Sequence, residues 1–136
     1  MTSTPDLKAL GDAIPFGRTL GIEILEAGAE RVVATMPWSE DKTTLGGRLH
    51  GGSLMAFADN VGAICAFHHL PDGATTSTIE SKTNFFRGVG SGNVTATSVP
   101  LHVGGTTIVV RTDLVDDRGK AVAVVTQTQI VLKPNA

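Results

Sequence analysis

The chain has 136 residues, 41% hydrophobic and 18% charged, the balance of a globular protein long enough to bury one core. A net charge of −2 argues against a nucleic-acid or anionic-membrane partner, either of which would need a basic stripe. Cys65 is the only cysteine, which excludes an intramolecular disulfide and a thiolate metal site.

The opening MTSTPDLKALGDAI lacks a basic region followed by a long apolar run, and no segment approaches the roughly 20 apolar residues that span a bilayer. A cytoplasmic location is the expectation. Thr4-Pro5-Asp6 has the order of an N-cap, a first-turn proline and an acidic second position, predicting a short helix to about Ile14. Gly21 to Ala27 and Arg31 to Trp38 are β-prone, with Ala27-Gly28-Ala29-Glu30 as the turn between them. A Thr- and Gly-rich loop covers Ser39 to Leu49.

A helix is then predicted from about Gly52 to His69. Leu54, Phe57, Ala58, Val61, Ile64 and Cys65 recur at helical spacing, and Met55, Ala56, Ala63, Ala66 and Phe67 fill most of the other side. A helix apolar nearly all round is enclosed on most sides. Leu70-Pro71-Asp72-Gly73 ends it. Thr76 to Phe86, Asn93 to Val103, Thr106 to Val115 and Ala121 to Leu132 read as strands. The turns between them, Gly88 to Gly92 included, have the spacing of a meander of hairpins. In Thr106 to Val115, Ile108, Val110 and Leu114 share one face, and Arg111 and Asp113 share the other. One long apolar helix lying across an antiparallel sheet is an α+β layout.

Within the helix the polar side chains from Leu54 to Phe67 are Asp59 and Asn60. An ionised carboxylate there is costly unless it is hydrogen-bonded or reached by water. A structural aspartate at a helix contact is the plain alternative. The residues before it favour chemistry: His50-Gly51-Gly52 sits where loop becomes helix, and a helix start offers unpaired N–H groups and a positive dipole end. Two glycines let a ligand approach that backbone, so the turn can stabilise the oxyanion of an attacked carbonyl. Asp59 is then a candidate base or nucleophile. Eight residues of rise, about 12 Å, separate Gly51 from Asp59, too far for one carbonyl to meet both on the same helix. A second helix running antiparallel beside the first would bring Gly51 of one subunit to Asp59 of the other. The mechanism therefore implies a dimer with two shared sites.

HGGSLMAFAD, with TSTIESKTNFFRG downstream and FGRTLGIEI upstream, resembles the hotdog-fold acyl-CoA thioesterases of the PaaI type, from about Phe16 to Leu132. The resemblance implies a single hotdog domain over 1–136, with 1–15 as an N-terminal helical extension. It implies a long helix wrapped by a curved antiparallel sheet, paired into a homodimer and often into a dimer of dimers. The implied substrate is an acyl-CoA thioester; coenzyme A belongs to the substrate, and no separate cofactor or metal is called for. By motif, the Gly51 N–H would polarise the thioester carbonyl, with Gly52 beside it. Asp59 would be base or nucleophile, Thr78 would orient the water or the carboxylate, and His50 would shape the loop. Family members commonly carry Asn or Gln six residues before the motif histidine, where this chain has Thr44, a shorter group without the paired donor and acceptor. The usual proline after the strand arginine is also missing, since Gly88 follows Arg87.

Lys82 and Arg87 lie on the strand bordering the expected site, and could meet coenzyme A phosphates or serve as solvated surface charges. Trp38, Phe57, Phe85 and Phe86 could line an acyl pocket or pack the core. No histidine pair has zinc-ligand spacing. Cys65 repeats the spacing of Val61 and reads as packing. Three rivals remain to hydrolysis: an acyl-CoA sensor module without turnover, a hotdog hydratase or dehydratase, and a structural domain with an inert aspartate. The first gains little from a buried carboxylate. The second usually employs a histidine–acid pair, which His50 does not form with its glycines.

Overall fold

The computed structural model describes residues 6–134. Thr4 and Pro5, read as cap and first turn, lie outside the described residues. Asp6 caps helix α1 (Leu7–Asp12), its side chain accepting from the Ala9 N–H at 3.0 Å. The sequence predicts no second helix, yet α2 (Pro15–Leu20) follows, started by a proline at its first position. It ends on Gly21, whose φ of 74° is a left-handed stop that glycine adopts without strain. Strands β1 (Glu23–Ala27) and β2 (Val32–Pro37) form the expected hairpin. A short 3-10 turn (Glu40–Lys42) interrupts the loop before α3 (Gly51–Phe67). Strands β3 (Thr75–Phe85), β4 (Asn93–Val103), β5 (Thr107–Val115) and β6 (Ala121–Leu132) complete the chain.

All six strands form one antiparallel sheet in the order β1-β2-β4-β5-β6-β3. β4, β5 and β6 are the expected meander. β3 is not part of it: it pairs with β6 at the far edge, from Thr75 opposite Leu132 to Phe85 opposite Ala123. Gly88 to Gly92 is therefore a crossover from one side of the sheet to its middle, and the hairpin turn expected there is corrected. β6 pairs with β5 on one side and takes β3 on the other, which sets β3 against α3.

α3 packs against β2, β3, β4, β5 and β6, which is the hotdog arrangement that the resemblance implies. Its expected apolar residues Leu54, Phe57, Ala58, Val61, Ile64 and Cys65 are all buried. They meet Val32, Ala34 and Met36 of β2, Val94 and Ala96 of β4, and Ile108, Val110 and Leu114 of β5 in one core. The alternation read in β5 holds, with Thr112 as a fourth inward position. Its hydroxyl shares a 2.5 Å hydrogen bond with buried Ser98 across the β4–β5 register. Burial pushes the Cys65 thiol up to about 11, so it carries no thiolate at neutral pH. Lys42 is also buried; its ammonium donates to the carbonyls of Leu20 (2.8 Å) and Pro37, tying α2 and β2 to the segment before α3. Desolvation lowers its pKa, and the charge of Asp41 partly offsets this.

Candidate active site

The first turn of α3 distributes its N–H groups unevenly. The Ser53 and Leu54 N–H groups donate to the His50 carbonyl, and the Gly52 N–H donates to His50 Nδ1 at 2.7 Å. Gly51 is left: its N–H has no acceptor among the described residues. That places an open donor at the positive end of a 17-residue helix. His50 Nδ1 must be unprotonated to accept, so the ring acts as a cap and its proton sits on Nε2. Both glycines lie close against neighbouring side chains. A Cβ on Gly52 would stand 2.9 Å from His50 Nδ1, and one on Gly51 would stand 3.2 Å from the Phe85 ring.

Asp59 lies two turns further along, half-buried, on the flank of α3 facing β3 and β6. Thr78 Oγ1 donates to Asp59 Oδ1 at 2.7 Å, and Gln127 Nε2 donates to the same oxygen at 3.0 Å. Gln129 Nε2 donates to Thr78 Oγ1 at 2.7 Å, and Thr76 Oγ1 donates to Gln129 Oε1 at 3.1 Å. The chain of amides and hydroxyls fixes which way each group points: Thr78, accepting from Gln129, must spend its proton on the carboxylate. Two donors on a carboxylate oxygen offset much of the cost of its burial. Oδ2 accepts no hydrogen bond among the described residues. Beside it opens a pocket of about 220 Å³ lined by Met55, Ala56, Asp59, Thr78 and Ser81.

The structure thus joins Asp59 to Thr78, and Gly51 to His50, Gly52 and Phe85. It does not join the two groups within one subunit, as the rise of α3 dictates. Thr44 lies in a closed turn whose ends are held by the Thr44 N–H to Arg48 carbonyl bond (2.9 Å) and the Thr43–Leu49 bridge. Its side chain is exposed and makes no hydrogen bond among the described residues. Lys82 is exposed, with Nζ 3.4 Å from Asn84 Oδ1, and strand alternation turns it to the face opposite Ser81. Arg87 is exposed at the start of the crossover, where its backbone N–H donates to the Val122 carbonyl. Gly88 has a packing reason: a Cβ there would stand 2.5 Å from Arg48 Cδ, so Arg48 occupies the space beside it. Of the four aromatics, Phe57 is core. Phe85 and Phe86 are half exposed, and Trp38 pins the Thr44 turn through its Nε1–H to the Gly47 carbonyl (3.0 Å).

With this geometry in place, the match to known proteins is decisive. The family model of the Thioesterase superfamily matches residues 46–123, the span from the glycines before His50 to the start of β6. The chain belongs to the thioesterase superfamily. Among relatives of this thioesterase-superfamily chain is the Bacillus subtilis protein named "Putative esterase ComA2". It is 35% identical over 116 residues, which cover 84% of this chain and 91% of ComA2. The crystal structure of thioesterase HI1161 from Haemophilus influenzae superposes with a TM-score of 0.90 at 30% identity, covering 96% of this chain and 93% of that one. Thioesterase PA1618 from Pseudomonas aeruginosa, solved as a mutant, gives a TM-score of 0.90 at 30% identity, with 96% of each chain covered.

Sequence reasoning missed two residues that hydrogen-bond into this candidate site, Gln127 to Asp59 and Gln129 to Thr78. Both are fully buried, and both sit at inward positions of β6 in phase with Val125 and Val131. An amide at an inward strand position was the available signal, because a buried amide needs partners. No grouping of metal-ligating side chains occurs among the described residues. No described helix is long and apolar enough to cross a membrane.

Proposed function

We propose that the protein hydrolyses acyl-CoA thioesters in a dimer with two shared sites. The observation that carries this reading is the Asp59 carboxylate, with Oδ1 held by two donors and Oδ2 left open beside a pocket. In each site the thioester oxygen accepts from the Gly51 N–H of one subunit, and Asp59 of the other acts on the carbonyl carbon. As base, Oδ2 takes a proton from water while the water oxygen attacks. The tetrahedral oxyanion collapses, the C–S bond breaks, and the thiolate leaves and is protonated to coenzyme A, with the free acid as second product. As nucleophile, Oδ2 attacks the carbonyl carbon, the C–S bond breaks and the thiolate leaves. Water then attacks Asp59 Cγ of the mixed anhydride, releasing the free acid and passing its proton to the thiolate. A single turnover in ¹⁸O-water separates the two, since only the second route leaves label in the protein. A sensor module would not need an open carboxylate oxygen, and His50, committed to its cap, is not half of a hydratase pair.

The test is thiol release over a panel of acyl-CoAs with short, long and aromatic acyl groups. Turnover of some members supports the reading, and none across the panel overturns it. Lys82 and Arg87 are the proposed contacts to the coenzyme A phosphates.

The open edge of β3 supports the same reading. β3 is an edge strand with its outer side unpaired among the described residues, and Ile79 and Phe86 on and after it are 58% and 60% exposed. An open edge with exposed apolar groups is a template for pairing with a second copy. Light scattering should give at least twice the protomer mass, and a fully active monomer would contradict the shared site. Thr44→Asn provides a narrower test of the loop. Restoring an amide at the turn should change relative turnover across the acyl panel with the thermal midpoint unmoved. Identical kinetics on every substrate would make this position a spectator.

A further inference from the structure

We infer that Gln127 and Gly62 form a positioning device for Asp59, holding its carboxylate in the rotamer that leaves Oδ2 open. The inference rests on the reading of Asp59 as base or nucleophile. Gln127 is fully buried on β6, and its Nε2 reaches Asp59 Oδ1 at 3.0 Å. Its other end gains nothing: Gln127 Oε1 is buried and has no hydrogen-bond partner among the described residues. A buried, unpartnered amide carbonyl is destabilising, so packing alone does not account for a glutamine here. An apolar side chain of the same length would fill the space without that cost.

Gly62 makes the reach possible. It stands one turn after Asp59 on the same face of α3, and a Cβ there would lie 2.0 Å from Gln127 Oε1 and 2.5 Å from its Cδ. Any side chain at this position would expel the amide from its seat against the helix. A glycine in the middle of a helix is itself unfavourable relative to alanine. Two locally unfavourable choices, an orphaned carbonyl and a mid-helix glycine, therefore converge on one bond, the donation to Asp59.

The amide can only sit one way round. Exchanging its ends would bring Oε1 against Asp59 Oδ1, two acceptors facing each other. Thr78 comes from β3 and Gln127 from β6, and both donate to Oδ1. One donor would leave the carboxylate free to rotate about that bond. Two donors from different strands fix the plane and so the direction of Oδ2.

The experiment compares wild type, Gln127→Met, Gly62→Ala and Asp59→Asn on one acyl-CoA substrate, measuring kcat, KM and the thermal midpoint. Met keeps the length and removes the donor; Ala keeps the glutamine and displaces it. Both should lower kcat about 10- to 100-fold, the scale of a misplaced reacting group, with KM within about twofold. Gln127→Met should keep its thermal midpoint, because the orphaned carbonyl goes with the donor. If Gln127→Met folds poorly, Gly62→Ala carries the same test with the amide still present. Unchanged kcat in a folded variant of either kind would overturn the inference, as would a loss confined to KM. If Asp59→Asn loses turnover while these two keep it, only the positioning device falls. If Asp59→Asn itself keeps turnover, the reading of Asp59 falls with it.

Discussion

Asp59→Asn should lose at least about 100-fold in turnover while keeping the fold, the dimer and acyl-CoA binding, the loss that follows removal of a positioned base or nucleophile. Asn matches the shape of Asp, and its amide oxygen can accept from Thr78 and Gln127 as Asp59 Oδ1 does. Its NH₂ then takes the place of Oδ2, where it neither accepts a proton from water at neutral pH nor attacks a carbonyl. A structural aspartate predicts the reverse: rate untouched, or stability and rate falling together. Turnover measured beside the thermal midpoint of the same mutant decides between them, and unchanged turnover rejects the mechanism.

The second large effect is expected from Gly51→Pro, which deletes one N–H and little else. Proline is favoured at the first position of a helix, where its missing donor is ordinarily no loss. The residue before it must be extended, and His50 already is, at φ −61° and ψ 138°. The Phe85 ring that a Cβ would crowd is half exposed and free to turn outward. The helix should therefore form, and turnover should fall about 100- to 1,000-fold, the range for loss of an oxyanion donor. Retained turnover would move the oxyanion site elsewhere. Mixing this mutant with Asp59→Asn under subunit exchange adds a sharper readout. Half the pairs would be mixed and each would hold one intact site, so on the order of a quarter of wild-type activity should return. No recovery would reject a site that joins Gly51 of one subunit to Asp59 of the other.

The central helix and the β4–β6 meander were legible because each rests on a long periodic segment, whereas the hotdog layout came with the family resemblance carried by HGGSLMAFAD and its flanking motifs. α2 was not: PFGRTL is six residues with a glycine inside, too short for a helical period to show. The place of β3 was hidden for another reason. A glycine-rich link reads as a turn from composition, but which edge a strand joins depends on an opening that other strands leave. Asp59, Gly51, Thr78 and His50 announced themselves through one carboxylate in an apolar run and a motif around it. Gln127 and Gln129 did not, because Thr126 to Gln129 is polar on both faces and the period-2 signal disappears there. Only the phase of Val125 and Val131 marks the two amides as inward.

The edge position of β3 also sets an order of events during synthesis. Thr78 follows Asp59 by 19 residues, whereas Gln127 follows it by 68. β3 has β6 as its partner strand among the described residues, so its strand pairing cannot form until residues up to Leu132 have been synthesised. Such distant pairing is slow to close. A nascent chain halted before Ala121 would carry Asp59 with no amide to meet it and β3 with neither edge covered. β6 is thus the strand that completes both the sheet and the carboxylate's setting, so Asp59 meets its amide partner only after the chain has been made through β6.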